Sequence, residues 1–417
     1  MGKRGINFIG LAALQWLQAS KSVVQNDAYG QMIQANDTSL YNAISANTGL
    51  WNDSFVNSLD YLDWAYARFN EWGITWVRDF LMPRYMYNIF ATGSKTTPIT
   101  TAGLDAAGWD TVDRVLYLCN LYGMKIIFYA PDLWMTNAAW SGATQDQITD
   151  NLKVPFFQYF CNRYSAYAGI IEISPSGEEA GNAGMVYRQM RVYDTIKAIT
   201  PQMKVQAISG LRPSNVVTFL GQLQTAGYQN KFDDTVGFSY YEEYYNSDDQ
   251  PDPYDVYPNV NNNIASCMNL AGRSDYKVMI SEFGIFWKPG VDAPIGSTQN
   301  YNGASPTCIS DMFNRIVSDA NCVGACYWAA SGRTVTTGVH AFVGQQGMGL
   351  WEVESNPRVT HYPTWTAWVA FSSSPSASPS SSISASPSHT GLYLRTISGT
   401  PVTLRKIDGT PISLESL

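Results

Sequence analysis

Eight short runs of mainly apolar residues recur along the chain, and a segment with helical periodicity follows each of them. The runs are "GINFIG" (5–10), "ITWVRDF" (74–80), "KIIFYA" (125–130), "GIIEIS" (169–174), "KVQAIS" (204–209), "TVGFSY" (235–240), "KVMISE" (277–282) and "GACYWA" (324–329). Each has strand length and is rich in β-branched or aromatic residues, whereas the segments between them repeat apolar positions every three or four residues. In "SLDYLDWAYARFNEWG", Leu59, Leu62, Ala65, Phe69 and Trp72 fall near one face of a helix. "WDTVDRVLYLCNLYG" and "NVVTFLGQLQTAG" share that spacing, and each stops at a glycine, as helix C-termini favour. "HYPTWTAWVAF" (361–371) supplies an eighth helix.

Strand–helix alternation repeated eight times predicts an α/β fold, a (β/α)8 or TIM barrel spanning residues 1–371. A doubly wound sheet would also alternate, but no glycine-rich phosphate loop follows the first run. The first connection, residues 11–54, is long and rich in Asn, Ser and Gln, as functional loops at the C-terminal face of a barrel often are. At 372–388 the pattern ends in "SSSPSASPSSSISASPS", a Ser/Pro-rich linker that cannot build a core. Residues 389–417 carry a small repeat, "SGTPVTLRK" and "DGTPISLES", which reads as a short β tail for anchoring or interaction.

Composition narrows the partners. Of 417 residues, 14% are charged, the net charge is -8 and no basic run occurs, so nucleic acid is not an expected partner. Of the 13 Trp and 26 Tyr some should be core, and flat, partly exposed rings also suit a ligand with apolar faces and polar edges, such as a sugar. None of the six cysteines forms a C-x-x-C pair, and the three histidines sit apart from them, so no metal site is expected. A disulfide involving Cys308 stays open. Asp248, Asp249 and Asp252 offer calcium ligands, but a solvated acidic loop is the simpler reading. No run is long enough for membrane insertion, and "MGKRGINFIG" lacks the apolar stretch of a signal peptide.

In a barrel of this kind the chemistry sits where the strands end. Arg78 and Asp79 lie on the second run, Asp132 and Trp134 after the third, and Glu178 and Glu179 after the fourth, in "SPSGEE". Arg212 follows the fifth, Tyr240 and Tyr241 end the sixth, and Glu282 and Trp328 mark the seventh and eighth, with Trp287 just beyond Glu282. Two carboxylates would then face each other across the mouth, ringed by an arginine and aromatic residues. Glycosidic cleavage requires such a pair, one neutral to protonate the leaving oxygen and one ionised.

The order of Arg on strand two, Glu on four, Tyr on six, "SEFG" on seven and Trp on eight resembles the clan A retaining glycoside hydrolases, which include the family-five cellulases and mannanases. The resemblance spans about residues 5–371 as a pattern and is most specific in "VMISEFG". It implies Glu282 as nucleophile and Glu178 as acid/base. Arg78, Trp134, Tyr240, Tyr241, Trp287 and Trp328 would bind substrate, with Trp328 as the floor under the sugar. The clan places Asn before its acid, whereas Gly177 stands there; Ser-Gly-Glu is similar to the acid motif of the inverting β-amylases. Retaining or inverting chemistry, and Glu178 or Glu179 as the acid, therefore stay open.

The expected activity is endo-acting hydrolysis of a β-linked polysaccharide or oligosaccharide, with no cofactor. Trp134, Trp140, Tyr244 and Trp287 would line a groove. The alternatives are a carbohydrate-binding protein on a catalytically degenerate barrel, or a barrel displayed on a cell surface or virion through the linker and tail. An extracellular location, reached by lysis from a phage-infected cell or after loss of a leader, fits each reading.

Overall fold

The computed structural model describes residues 3–8, 59–81, 93–100, 106–130, 140, 142–175, 184–208, 213–240, 256–283, 313–314, 316–327, 331–332 and 351–352. All belong to the first of two compact units, Met1–Ser374, the second being Pro375–Leu417. The strands are β1 (Lys3–Phe8), β2 (Trp76–Phe80), β3 (Lys125–Tyr129), β4 (Ile171–Ser174), β5 (Lys204–Val205), β6 (Ala207–Ile208), β7 (Thr235–Tyr240), β8 (Lys277–Phe283) and β9 (Cys322–Tyr327). They form one parallel sheet in the order β5-β4-β3-β2-β1-β9-β8-β7-β6. Only Gln206 separates β5, which pairs with β4, from β6, which pairs with β7. The two make one stave, so the sheet curls into an eight-stave barrel, the (β/α)8 architecture the sequence predicts. A separate parallel pair, β10 (Ser331–Gly332) and β11 (Trp351–Glu352), lies beyond β9.

Between the staves run α1 (Leu59–Glu71), α2 (Ala106–Leu121), α3 (Gln145–Ile148), α4 (Val154–Tyr164), α5 (Gly184–Ile199), α6 (Pro213–Thr225) and α7 (Val256–Cys267). The apolar stripe of α1 behaves as its spacing requires. Leu62, Ala65 and Phe69 are fully buried, and Phe69 meets Phe8 edge-on at 5.3 Å between ring centroids. Full burial of side chains the size of Leu62 and Phe69 contributes roughly 1.5–3 kcal/mol each. Thr144 caps α3 in a capping box with Gln147. Between α3 and α4 the helix widens into a π turn, Thr149–Lys153. Pro155, the second residue of α4, has no N–H to give, and the Asn151 carbonyl four residues before it accepts instead from the Ile99 N–H at 2.9 Å. The predicted eighth helix (361–371) and the linker and tail lie outside the described residues.

Strand alternation divides the barrel into two cores. Ile6, Phe8, Val77, Ile126, Phe128, Ile171, Ile173, Val236, Phe238, Val278 and Ile280 belong to the large cluster beneath the helices. Trp76, Ile127, Met279 and Cys326 form a second cluster inside the barrel. At the N-terminal end of the staves the lumen is closed by charge. Lys3 lies 4.0 Å and Lys125 5.3 Å from the Trp76 ring, and Lys3 also pairs at 3.2 Å with buried Glu172, which accepts from Gln206. The seam between β1 and β9 depends on glycine. A Cβ on Gly324 would stand 2.2 Å from the Lys3 carbonyl oxygen, and one on Gly5 would stand 2.3 Å from Cys326 Sγ.

Candidate active site

Simple alternation along β8 would face Met279 and Ser281 into the lumen and Ile280 and Glu282 outward. The register shows why Glu282 escapes this. Phe238 pairs with Ile280, but the next residue of β7, Ser239, pairs with Glu282. On the other side, Ile280 pairs with Ala325 and Phe283 with Tyr327, so β8 again has one residue too many. This β-bulge at Ser281–Glu282 turns the carboxylate inward, and a bulge is a common way to re-aim a side chain beside a site.

There Glu282 Oε1 accepts a hydrogen bond from Arg78 Nη1 at 2.6 Å. Both residues are buried, with Arg78 1% and Glu282 2% exposed. Burial pulls the guanidinium's pKa down, but attraction to Glu282 and Tyr129 and the bond to Glu282 outweigh it, so the net shift is upward. Arg78 stays charged at any working pH. Its Cζ also lies 4.3 Å from the centre of the Tyr129 ring, which braces the flat guanidinium from one face.

The same Nη1 donates to Asn7 Oδ1 at 2.7 Å. Asn7 Nδ2 in turn reaches the carbonyls of Ser281 at 3.0 Å, Cys326 at 3.2 Å and Tyr327 at 3.3 Å. The orientation of this amide is fixed by its neighbours, since carbonyls only accept and a guanidinium only donates. Ser239 and Ser281 face each other at 3.5 Å between hydroxyls, lining the lumen below Glu282. At the mouth between β3 and β4, the fully buried Lys153 of the π turn donates to the carbonyls of Ala130 and Pro175, the residues that open the two following loops.

Of the residues singled out from sequence, the structure brings Arg78 and Glu282 together. Tyr240 is 2% exposed and belongs to the cluster beneath the helices, because strand phase gives the lumen positions of β7 to Gly237 and Ser239. Tyr240 therefore packs beneath the helices. Trp140 is likewise corrected. It is 1% exposed and packed in the same cluster, so it has no free face for a sugar. Asp79 is fully buried on the outer side of β2, near Tyr66 and Cys119, whose pKa values are raised mainly by burial and further by Asp79. Glu178, Glu179, Asp132, Trp134, Arg212, Tyr241, Tyr244, Trp287 and Trp328 lie outside the described residues, as do Cys308 and the acidic loop with Asp248, Asp249 and Asp252.

Asn7 carried no functional signal in the sequence, where it only interrupts an apolar stretch. Glu172, within "GIIEIS", is a charged residue at a lumen position of a buried strand, an anomaly that the sequence itself carries. Among the described residues, no three His, Cys, Asp or Glu side chains gather as a metal site. Among them, too, no helix is long and apolar enough to cross a membrane.

No protein-family model matches the chain. No curated protein sequence matches it. Solved structures do match in shape. A family 5 xyloglucanase from Paenibacillus pabuli aligns with 74% of this chain and 89% of its own at 15% identity, with a TM-score of 0.52. An endoglucanase aligns with 75% of this chain and 89% of its own at 12% identity, with a TM-score of 0.49. A glycoside hydrolase family 5 mannosidase from Rhizomucor miehei aligns over 89% and 92% at 13% identity, with a TM-score of 0.48. At such identities the likeness to the xyloglucanase is one of fold, and it agrees with the eight-stave barrel built above.

Proposed function

We propose that the protein is a glycoside hydrolase that cleaves a β-linked polysaccharide at internal bonds. The observation that carries this reading is the Arg78–Glu282 pair, a buried carboxylate turned into the lumen at the C-terminal end of β8 and held by a guanidinium at 2.6 Å. Both a nucleophile and an electrostatic stabiliser of a cationic transition state need such a group, fixed in place with its charge balanced. The likeness in fold to a xyloglucanase supports the same class of substrate.

In this reading Glu282 attacks the anomeric carbon and forms a glycosyl ester as the leaving oxygen takes a proton from Glu178. Water, deprotonated by Glu178, then hydrolyses the ester. Trp328 forms the floor of the sugar site, and Trp134, Tyr241 and Trp287 extend it. An inverting course needs more room between the two carboxyl groups, for a water. Product stereochemistry from the wild-type protein decides between the two courses.

The test is a glycan panel followed by two variants. Glu282→Gln should lower turnover by at least ~10³-fold while the barrel stays folded. Glu178→Ala should lose activity on the polymer but keep the first step with activated leaving groups, and azide should restore turnover through a β-configured adduct. Wild-type rates in Glu282→Gln would refute the assignment. Tight glycan binding without turnover in the wild type would favour the carbohydrate-binding alternative.

A further inference from the structure

Asn7 lies on β1, yet its side chain joins three other staves. It reaches past β9 to the Ser281 carbonyl of β8, bonds two carbonyls of β9, and accepts from Arg78 of β2. The Ser281 carbonyl belongs to the extra residue of the bulge, where the regular pairing of β8 breaks on both sides. A carbonyl released from a ladder and buried needs another donor, and the Asn7 amide provides one. One side chain thus secures the bulge that aims Glu282 and the arginine that grips it. Asn7 is itself fully buried, so its geometry is set by the protein rather than by solvent.

We propose that Asn7 is a positioning residue, acting through Arg78 and the Ser281–Glu282 bulge to hold the Glu282 carboxylate in its reactive orientation. The kinetic consequence rests on the glycosidase reading; the structural linkage does not. Displacements near 1 Å at a reacting group cost about 10²-fold in rate. Asn7→Leu keeps the volume and removes both the donor and the acceptor. It should lower kcat by roughly 30- to 100-fold and leave KM within roughly threefold, because the amide makes no substrate contact in this assignment. Asn7→Asp keeps the acceptor toward Arg78 but adds a negative charge that competes with Glu282 for the same Nη1. Its second oxygen faces the three carbonyls that the amide served, and where the new carboxyl ionises it makes Glu282 harder to ionise, so the acid limb of the kcat/KM profile should move to higher pH.

The experiment measures both variants against wild type by far-ultraviolet circular dichroism, steady-state kinetics over pH, and carboxyl 13C NMR titration. Glu282 is assigned in the NMR titration as the signal missing from Glu282→Gln. The expected result is a folded protein, a loss in kcat, and an upward-moved Glu282 titration midpoint in Asn7→Asp. An unmoved titration with unchanged kcat overturns the proposal. Loss of the folded barrel in both variants also overturns it, since Asn7 would then be a structural residue only. If no glycan is hydrolysed by the wild type, the glycosidase reading fails while the NMR titration still decides the role of Asn7.

Discussion

Removing Arg78 should destabilise the barrel by more than the net contribution of its ion pair with Glu282, and restoring neutrality should recover most of the loss. At 2.6 Å and an effective dielectric constant near 20, the attraction between Arg78 and Glu282 is about 6 kcal/mol. Desolvation of two nearly fully buried ions takes back several kcal/mol for each, so the intact pair adds little net stability. Arg78→Met, however, leaves the carboxylate buried without its cation, a change that costs about 3–5 kcal/mol. With an unfolding entropy of about 2.1 cal/mol/K per residue over the 374 residues of the first unit, this lowers the apparent Tm by about 4–6 °C.

Glu282→Gln should cost a similar amount, since the guanidinium cannot shed its proton. The double variant removes both charges and should fall within about 2 kcal/mol of wild type, giving a coupling of several kcal/mol. The lost contact with Tyr129 appears in both Arg78 variants and cancels in the cycle. Acid gives a further sign. A buried carboxyl that has lost its arginine can shed its charge by taking up a proton, which a guanidinium cannot do by losing one, so the deficit of Arg78→Met should shrink from pH 7 to pH 5, while that of Glu282→Gln should not. Thermal melts of the four proteins at both pH values test this, and additive losses with no coupling would refute the argument.

Gly324→Ala should destabilise by about 1–3 kcal/mol, because the new methyl would meet the Lys3 backbone rather than a yielding side chain; urea unfolding measures it, and a neutral effect would show that the β1–β9 seam has slack. The buried thiols of Cys161, Cys267, Cys322 and Cys326 are pushed up to about 12 by burial, so the unfolded chain loses these protons first. Their contribution to stability is full below the unfolded value and drains above it by roughly 1 kcal/mol per thiol per pH unit. The apparent Tm in reductant should therefore fall steeply from pH 9 to pH 10, and a flat profile would contradict their burial. A chain ending at Ser374 should melt within a few degrees of the full chain, because a Ser/Pro-rich stretch brings no core; a large loss would place the tail against the barrel.

The parts of this fold that were legible in the sequence are those where one local rule acts alone. All eight apolar runs contain strands, since a buried parallel stave must be apolar and short, and the boundaries moved by about two residues at most, as in β9. The stripe of α1 was legible because a helix against a barrel buries one face. Arg78 and Glu282 could be paired in advance because strand order in a barrel is fixed and each lies near the end of its run. What stayed hidden depends on phase and on backbone groups. Tyr240 and Tyr241 differ by a single residue, and only the observed register assigns the first to the helix side. Asn7 was invisible because its partners are four atoms of other strands, three of them main-chain carbonyls with no sequence signature. Glu282 shows both effects at once. Its residue type announced chemistry, yet two-residue alternation from Met279 would point it away from the lumen. An extra residue in β8 reverses that, and the extra residue leaves a carbonyl that one asparagine side chain takes up. The bulge and Asn7 therefore form a single device, and neither could be inferred from the chain without the other.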